Sequence, residues 1–221
     1  MNPLPIAHAV LAALSFAFPA FAHATSSSPD LSAHADSSAW RIHNRTSSAV
    51  PDTPNALRLD ARDRDGIAWL VGSDFANGTI ELDLRGANKP GRSFVGLAFR
   101  GVDDTTYEAI YFRAFNFKNP DPARTARAVQ YISHPQHPWQ VLREKFPGKY
   151  EAAISPVPDP DDWFHARIVL SGRTISVFVN NAKEPSLTVE SLTDRTSGQL
   201  GLWVGHASSG DFANLKITPS E

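Results

Sequence analysis

From residue 40 to residue 217 the chain repeats one device: a short run in which apolar and polar side chains alternate, or β-branched residues cluster, closed by Gly, Asn, Asp or Pro. In GTIELDLR, residues 78 to 85, Ile80, Leu82 and Leu84 are interleaved with Glu81, Asp83 and Arg85. Period-two alternation puts successive side chains on opposite faces of a strand, and helical periodicity is scarce. The spacing predicts strands at 40–44, 55–59, 66–70, 78–85, 93–100, 108–115, 126–132, 164–171, 174–180, 198–204 and 210–217. Many short strands with regular turn punctuation predict an all-β fold, an antiparallel sandwich or barrel.

With 221 residues, 42% hydrophobic and 20% charged, the chain suits one globular domain with its own core. Residues 1–24 contain no Lys, Arg, Asp or Glu, hold an apolar run from Ala9 to Phe21, and end in Ala22-His23-Ala24. This reads as a secretory signal peptide cut after Ala24, too short to span a bilayer. Residues 25–38 are Ser-rich and read as a flexible lead-in, leaving 39–221 as a single β-sandwich domain of an exported, periplasmic or extracellular protein.

A net charge of −2 argues against a nucleic-acid partner and against electrostatic docking on membranes. The absence of cysteine removes disulfides, thiolate metal sites, thiol catalysis and a lipid-anchoring cysteine.

Residues 134–160 break the rhythm, with prolines at 135, 138, 147, 156, 158 and 160 beside Trp139, Phe146 and Tyr150. Such a connection reads as an ordered loop packed on the sheet.

Several stretches resemble known families. WFHARIVLSGRTISVFVNN (163–181) and GQLGLWVGHASSGDFANLKI (198–217) resemble the paired strands of laminin G-like and concanavalin A-like domains. SFVGLAFRGVDDTTYEAIYFRAFNF (93–117) resembles a hairpin of the 3-keto-disaccharide hydrolase domain family. The resemblance covers about residues 65 to 218 and implies a concanavalin A-like, antiparallel jelly-roll β-sandwich whose concave sheet binds an oligo- or polysaccharide.

Glu81-x-Asp83 also resembles the Glu-x-Asp-x-(x)-Glu signature of the family 16 glycoside hydrolases. A retaining glycosidase needs two carboxyl groups about 5 Å apart. Here the place of the second glutamate is taken by Arg85, or by Gly86 if the register shifts, so that mechanism does not carry over. Glu81 and Asp83 are either a solvated strand face or acceptors for sugar hydroxyls, and they remain the candidate acid and base if the protein is a hydrolase.

Sugar sites pair an aromatic wall with planar polar groups. Tyr111 and Arg113 share one face of their strand and Gln130 lies on the next, which makes them groove candidates; Arg113 is equally a cross-strand partner for Asp83. Arg100 is a further groove candidate or a hairpin-end ion pair, and Trp139 either stacks on a sugar or plugs the sandwich edge.

His134 and His137 lack a third ligand, so no metal site is read there. In DARDRDG, 60–66, the arginines between the acids disfavour calcium, and Asp103-Asp104 reads as a hairpin turn; a structural calcium is implied only by the laminin G-like resemblance. Three functions follow: a secreted carbohydrate-binding domain, a glycoside hydrolase of the 3-keto-disaccharide type, or a laminin G-like protein-interaction module.

Overall fold

Alternation produces the expected result. The computed structural model describes residues 25–32 and 38–220, so residues 1–24, expected to be a signal peptide, lie outside the described residues. Its strands are β1 (Trp40–His43), β2 (Ser47–Ala49), β3 (Ala56–Leu59), β4 (Gly66–Leu70), β5 (Gly78–Arg85), β6 (Phe94–Gly101), β7 (Glu108–Arg113), β8 (Val129–Ser133), β9 (Glu151–Ala152), β10 (Phe164–Ser171), β11 (Thr174–Val179), β12 (Leu187–Glu190), β13 (Gln199–Val204) and β14 (Gly210–Pro219). Two short helices, α1 (Pro122–Thr125) and α2 (Trp139–Lys145), and a 3-10 turn at Ala114–Asn116 complete the described chain. All the expected strands form. The unpredicted ones, β2, β9 and β12, are short and lie on or near sheet edges.

The strands pair into two seven-stranded antiparallel sheets. The first runs β1-β4-β13-β6-β7-β8-β9 and the second β12-β11-β10-β5-β14-β3-β2. Their inner faces meet in one core, where Phe112 of the first sheet packs edge-on against Phe164 of the second at 5.0 Å. Each large apolar side chain fully buried there contributes about 1.5–3 kcal/mol.

The two outer faces differ. On β5, β10 and β11 burial alternates residue by residue, so the second sheet turns a polar, half-open face to solvent. On β7 and β8 every residue is buried. The Pro-rich segment accounts for the difference by packing over the first sheet. It is not only a loop: Pro135 and Pro138 end before α2 begins, and proline is tolerated just ahead of a first helical turn. Leu142 of α2 is buried, and β9 extends the sheet beyond β8.

Residues 25–32, expected to be a flexible lead-in, are tied to the sandwich. Ser27 and Ile217 exchange both backbone hydrogen bonds at 2.8 Å, and Leu31 is fully buried. Leu31, the one large apolar side chain of residues 25–38, is the anchor. No helix among the described residues is long and apolar enough to cross a membrane.

Candidate functional site: an aromatic-walled cleft

The outer face of the first sheet carries a cross-strand row of Trp203 (β13), Gly96 (β6), Tyr111 (β7) and Gln130 (β8). Gly96 has no side chain to part its neighbours, so the Trp203 and Tyr111 rings meet with centroids 4.9 Å apart. A Cβ at Gly96 would lie 2.1 Å from the Ile110 carbonyl oxygen. Phe94 packs edge-on to Tyr111, and Trp139, at the start of α2, stands over this floor with 40% of its surface exposed. Together they wall a cleft of about 520 Å³ that Asp65, Ile132, His134, Gln140 and His206 also line.

Its polar groups are organised from beneath. Trp203 Nε1 donates to the Tyr107 hydroxyl at 3.1 Å, which donates to Asp65 Oδ2 at 2.9 Å; His134 Nε2 lies 3.6 Å from the same oxygen. Burial and the neighbouring Asp65 carboxylate push the Tyr107 phenol well above its usual range, so it stays protonated and remains a donor. Burial lowers the His134 pKa although Asp65 opposes it, so the imidazole is neutral at pH 7. The cleft thus presents a carboxylate, a neutral imidazole and an amide against aromatic walls, groups able to accept and donate hydrogen bonds to hydroxyls and, in the case of His134, to take a proton.

The residues singled out from sequence are divided among four places. Trp139 and Tyr111 line the cleft, although Tyr111 is buried and its hydroxyl accepts from Arg113 Nη2 at 2.7 Å. Gln130 does not reach it: its oxygen accepts from Arg113 at 3.0 Å and its amide donates to the Tyr131 and Tyr150 carbonyls. Its role is to hold Arg113. That arginine lines a second cleft, on the far side of Phe94 and Trp139.

Arg100 is 1% exposed and points between the sheets, where it donates to the Gly172 carbonyl and lies 3.6 Å from Glu108. It is an interior ion pair, not a groove residue. Glu81 and Asp83 lie on the outer face of the second sheet, across the sandwich from Tyr111 and Arg113, so one groove cannot contain both sets, and Arg113 does not pair with Asp83. Alternation placed the side chains of β5, β7 and β8 on the correct faces but failed at Arg100, where a bulge against β13, with Arg100 at φ 46°, turns the side chain inward; and nothing local says which sheet a strand joins.

On that other face Asp83 is fully engaged, by His165 Nδ1 at 2.8 Å and Asn214 Nδ2 at 2.7 Å. Burial resists ionisation of Asp83, but these hydrogen bonds outweigh it and hold the carboxyl below its usual range. The bond to Asp83, against the cost of burial, raises the His165 pKa. Arg85 pairs not with Asp83 but with Asp211, at 2.7 Å, and lies over the Trp163 ring.

In the sequence Asp65 belongs to the charged stretch DARDRDG, His134 to a histidine pair without a third ligand, and Trp203 to the strand pattern of residues 198–217. No sequence signal joins them, since they come from the loop before β4, the residue just past β8 and the end of β13. Asp103 and Asp104, at the hairpin tip, are already partnered. Asp103 accepts from Thr105, and Asp104 accepts from Arg41 and Trp69 and faces His43, an electropositive setting for any cation. Among the described residues no group of three or more His, Asp or Glu side chains is placed to hold a metal ion.

Comparison with solved structures finds the same fold at low identity. The CBM66 carbohydrate-binding module from Bacillus subtilis is 16% identical, with a TM-score of 0.56 over 81% of this chain and 95% of that one. A galectin-like protein of unknown function from Bacillus subtilis is 15% identical, TM-score 0.58, over 87% and 94% of the two chains. The VIP36 exoplasmic/lumenal domain in its Ca2+/Man2-bound form is 13% identical, TM-score 0.56, over 86% of each. No curated protein matches the sequence. The sequence model of the 3-keto-alpha-glucoside-1,2-lyase-like domain matches residues 32–218, nearly the whole described sandwich, and the chain belongs to that family.

Proposed function

We propose that this protein is an exported carbohydrate-binding domain that holds a saccharide in the cleft beneath Trp139. The observation that carries this reading is the juxtaposition of one half-exposed indole with Asp65, His134 and Gln140 around a cleft of about 520 Å³. A sugar ring offers an apolar C–H face to an aromatic ring and hydroxyls to planar polar groups. The family membership, and a carbohydrate-binding module and a mannose-bound lumenal domain among similar folds, support the same class of ligand. Export rests on residues 1–24. The protein-interaction reading has less to recommend it, since the large exposed apolar side chains among the described residues are few: Val71, Val102, Trp139 and Val157.

The test is binding of residues 25–221 to a glycan array, beside Trp139→Ala. Binding that falls at least tenfold in a folded variant supports the cleft; unchanged binding removes it as the site, and no binding to any glycan removes the reading.

One observation favours turnover as a second reading: the neutral His134 beside Asp65 inside the cleft. In a 1,2-elimination on a 3-keto sugar, a base takes the C2 proton, the C1–O bond breaks, C1=C2 forms and the departing oxygen is protonated. His134 is the group able to take that proton, and Asp65 the one that orients it. Glu81 and Asp83 are not the acid and base of this reading, because no part of the cleft reaches them. Turnover of a 3-keto-glucoside that disappears in His134→Gln, with glycan binding retained, would establish it; no turnover by the wild type would dismiss it.

A further inference from the structure

Beyond Trp139 and Phe94, which line both spaces, the first cleft adjoins a second of about 420 Å³ with a different character. Three guanidinium groups converge there on one carboxylate. Arg143 holds Glu151 at 3.2 and 2.8 Å, Arg127 lies 3.3 Å from it, and Arg113 approaches to 3.9 Å. Glu151 is 7% exposed and Arg113 5%. Arg124, also on the rim, is matched by Asp121 at 3.7 Å, so it leaves the balance unchanged.

Three fixed positive charges against one negative leave an excess of two in a partly desolvated space, on a chain whose net charge is −2. Holding like charges together away from water is costly unless an anion joins them. Burial works against the charge on Arg113, and Arg143 and Arg127 add to it, while Tyr111 and Glu151 oppose.

The arrangement is also built. The Arg127 carbonyl accepts from Arg113 Nη1 at 2.9 Å and from Asn116 Nδ2 at 3.1 Å, which fixes both side chains. Asn116 is 4% exposed, lines the cleft, and its Oδ1 has no hydrogen-bond partner. A buried carbonyl oxygen left without a donor fits a ligand that brings one, such as a sugar hydroxyl. Arg143 lies 4.7 Å from the Trp139 ring centre and so joins the stacking surface to the charged one.

We infer that the second cleft is a subsite for the anionic group of an acidic saccharide, with Arg127 and Arg143 pairing the carboxylate or sulfate of one ring while its neighbour lies against Trp139. This rests on the saccharide reading above and names the substrate class. Guanidinium forks suit either oxyanion bidentately.

The experiment is calorimetric titration of residues 25–221 with hyaluronan, alginate and galacturonate hexasaccharides, each beside its carboxyl-reduced neutral counterpart. A heparin-derived hexasaccharide forms the sulfate arm, and polyglutamate serves as a polyanion without sugar. The expected result is that at least one acidic saccharide binds about tenfold or more tightly than its neutral counterpart, as expected when a charge-assisted pair is added. The preference should weaken between about 50 and 500 mM salt. Arg127→Gln and Arg143→Gln should each abolish it; Arg173→Gln, which removes one charge on the other sheet beside Asp194, should leave it intact. Trp139→Ala should weaken the acidic saccharide as well, which a purely electrostatic site would ignore. Two acceptor-arm outcomes, carboxylate or sulfate, both support the inference and identify the anion. Equal affinity for acidic and neutral forms, or polyglutamate bound as tightly as any saccharide, overturns it and leaves the first cleft standing. Binding of no saccharide in any arm overturns the reading beneath it too.

Discussion

Substituting Tyr107→Phe removes one buried oxygen and tests whether the cleft is held by the relay from Trp203 through Tyr107 to Asp65. Tyr107 is 2% exposed and Trp203 3%, and the hydroxyl is the acceptor that the structure gives to Trp203 Nε1. The ring is kept, so the packing terms against Trp69 and His134, at 6.0 and 5.1 Å, change little. What changes is that a buried indole N–H loses its partner, a penalty of about 1–3 kcal/mol. For a domain of this size each kcal/mol lowers Tm by roughly 2–4 °C, so the midpoint should fall by about 4–8 °C at the centre of that range. Urea denaturation followed by tryptophan fluorescence, with unchanged m-value, measures the free energy directly. Asp65 loses its donor at the same time, so glycan affinity should also drop and the imidazole of His134 should titrate at a higher pH by NMR, the freed carboxylate now serving it alone. A double-mutant cycle with Asp65→Asn should be non-additive, because both substitutions break one chain. A stability loss below about 0.5 kcal/mol, or additive effects in the cycle, would refute the argument that the buried relay organises the site.

The His165–Asp83 pair predicts a pH dependence of stability. Asp83 has its folded pKa depressed, so its contribution is present above the unfolded value and lost as pH falls through the folded one; His165 has its folded pKa raised, so its contribution is complete below the unfolded value and lost as pH rises through the folded one. The stability difference between wild type and His165→Gln should therefore be largest between about pH 4 and 6.5 and shrink on either side, a profile that a pH-independent difference would contradict. Asp211→Asn should cost about 2–3 kcal/mol by thermal denaturation, because Arg58 and Arg85 both donate to a carboxylate that is itself 4% exposed; a loss under about 1 kcal/mol would mean water replaces those bonds. Gly96→Ala should be strongly destabilising, by more than about 3 kcal/mol, since the added methyl meets backbone that cannot yield. A folded Gly96→Ala protein with wild-type glycan affinity would show that the Trp203–Tyr111 floor has room the geometry denies it.

Glu81, Asp83 and Arg85 show how far the sequence reaches. Their alternation with Ile80, Leu82 and Leu84 fixed a strand with one apolar and one polar face, and the structure has that strand at the same residues. The same reasoning found Tyr111 and Arg113 on one face of β7, whereas for Trp139 it left sugar stacking and edge plugging both open, and only the structure puts that ring at the cleft. It failed at Leu31, a single buried anchor in a Ser-rich stretch, and at α2, whose start behind two prolines was read as loop.

Strand identity, facing and turn positions are local properties, set by the period of two and by residues that suit tight turns, so the sequence by itself determines them. Which strand lies beside which is decided by pairings between distant segments, such as β10 with β5 and β13 with β6, and equivalent alternating patterns do not distinguish one partner from another. Only the tertiary structure therefore sends Glu81 and Asp83 to one face of the sandwich and Tyr111 to the other. It brings Trp203 to Tyr107 across 96 residues of chain and gathers three arginines around Glu151, because burial of both inner faces is satisfied by one arrangement of the sheets as wholes.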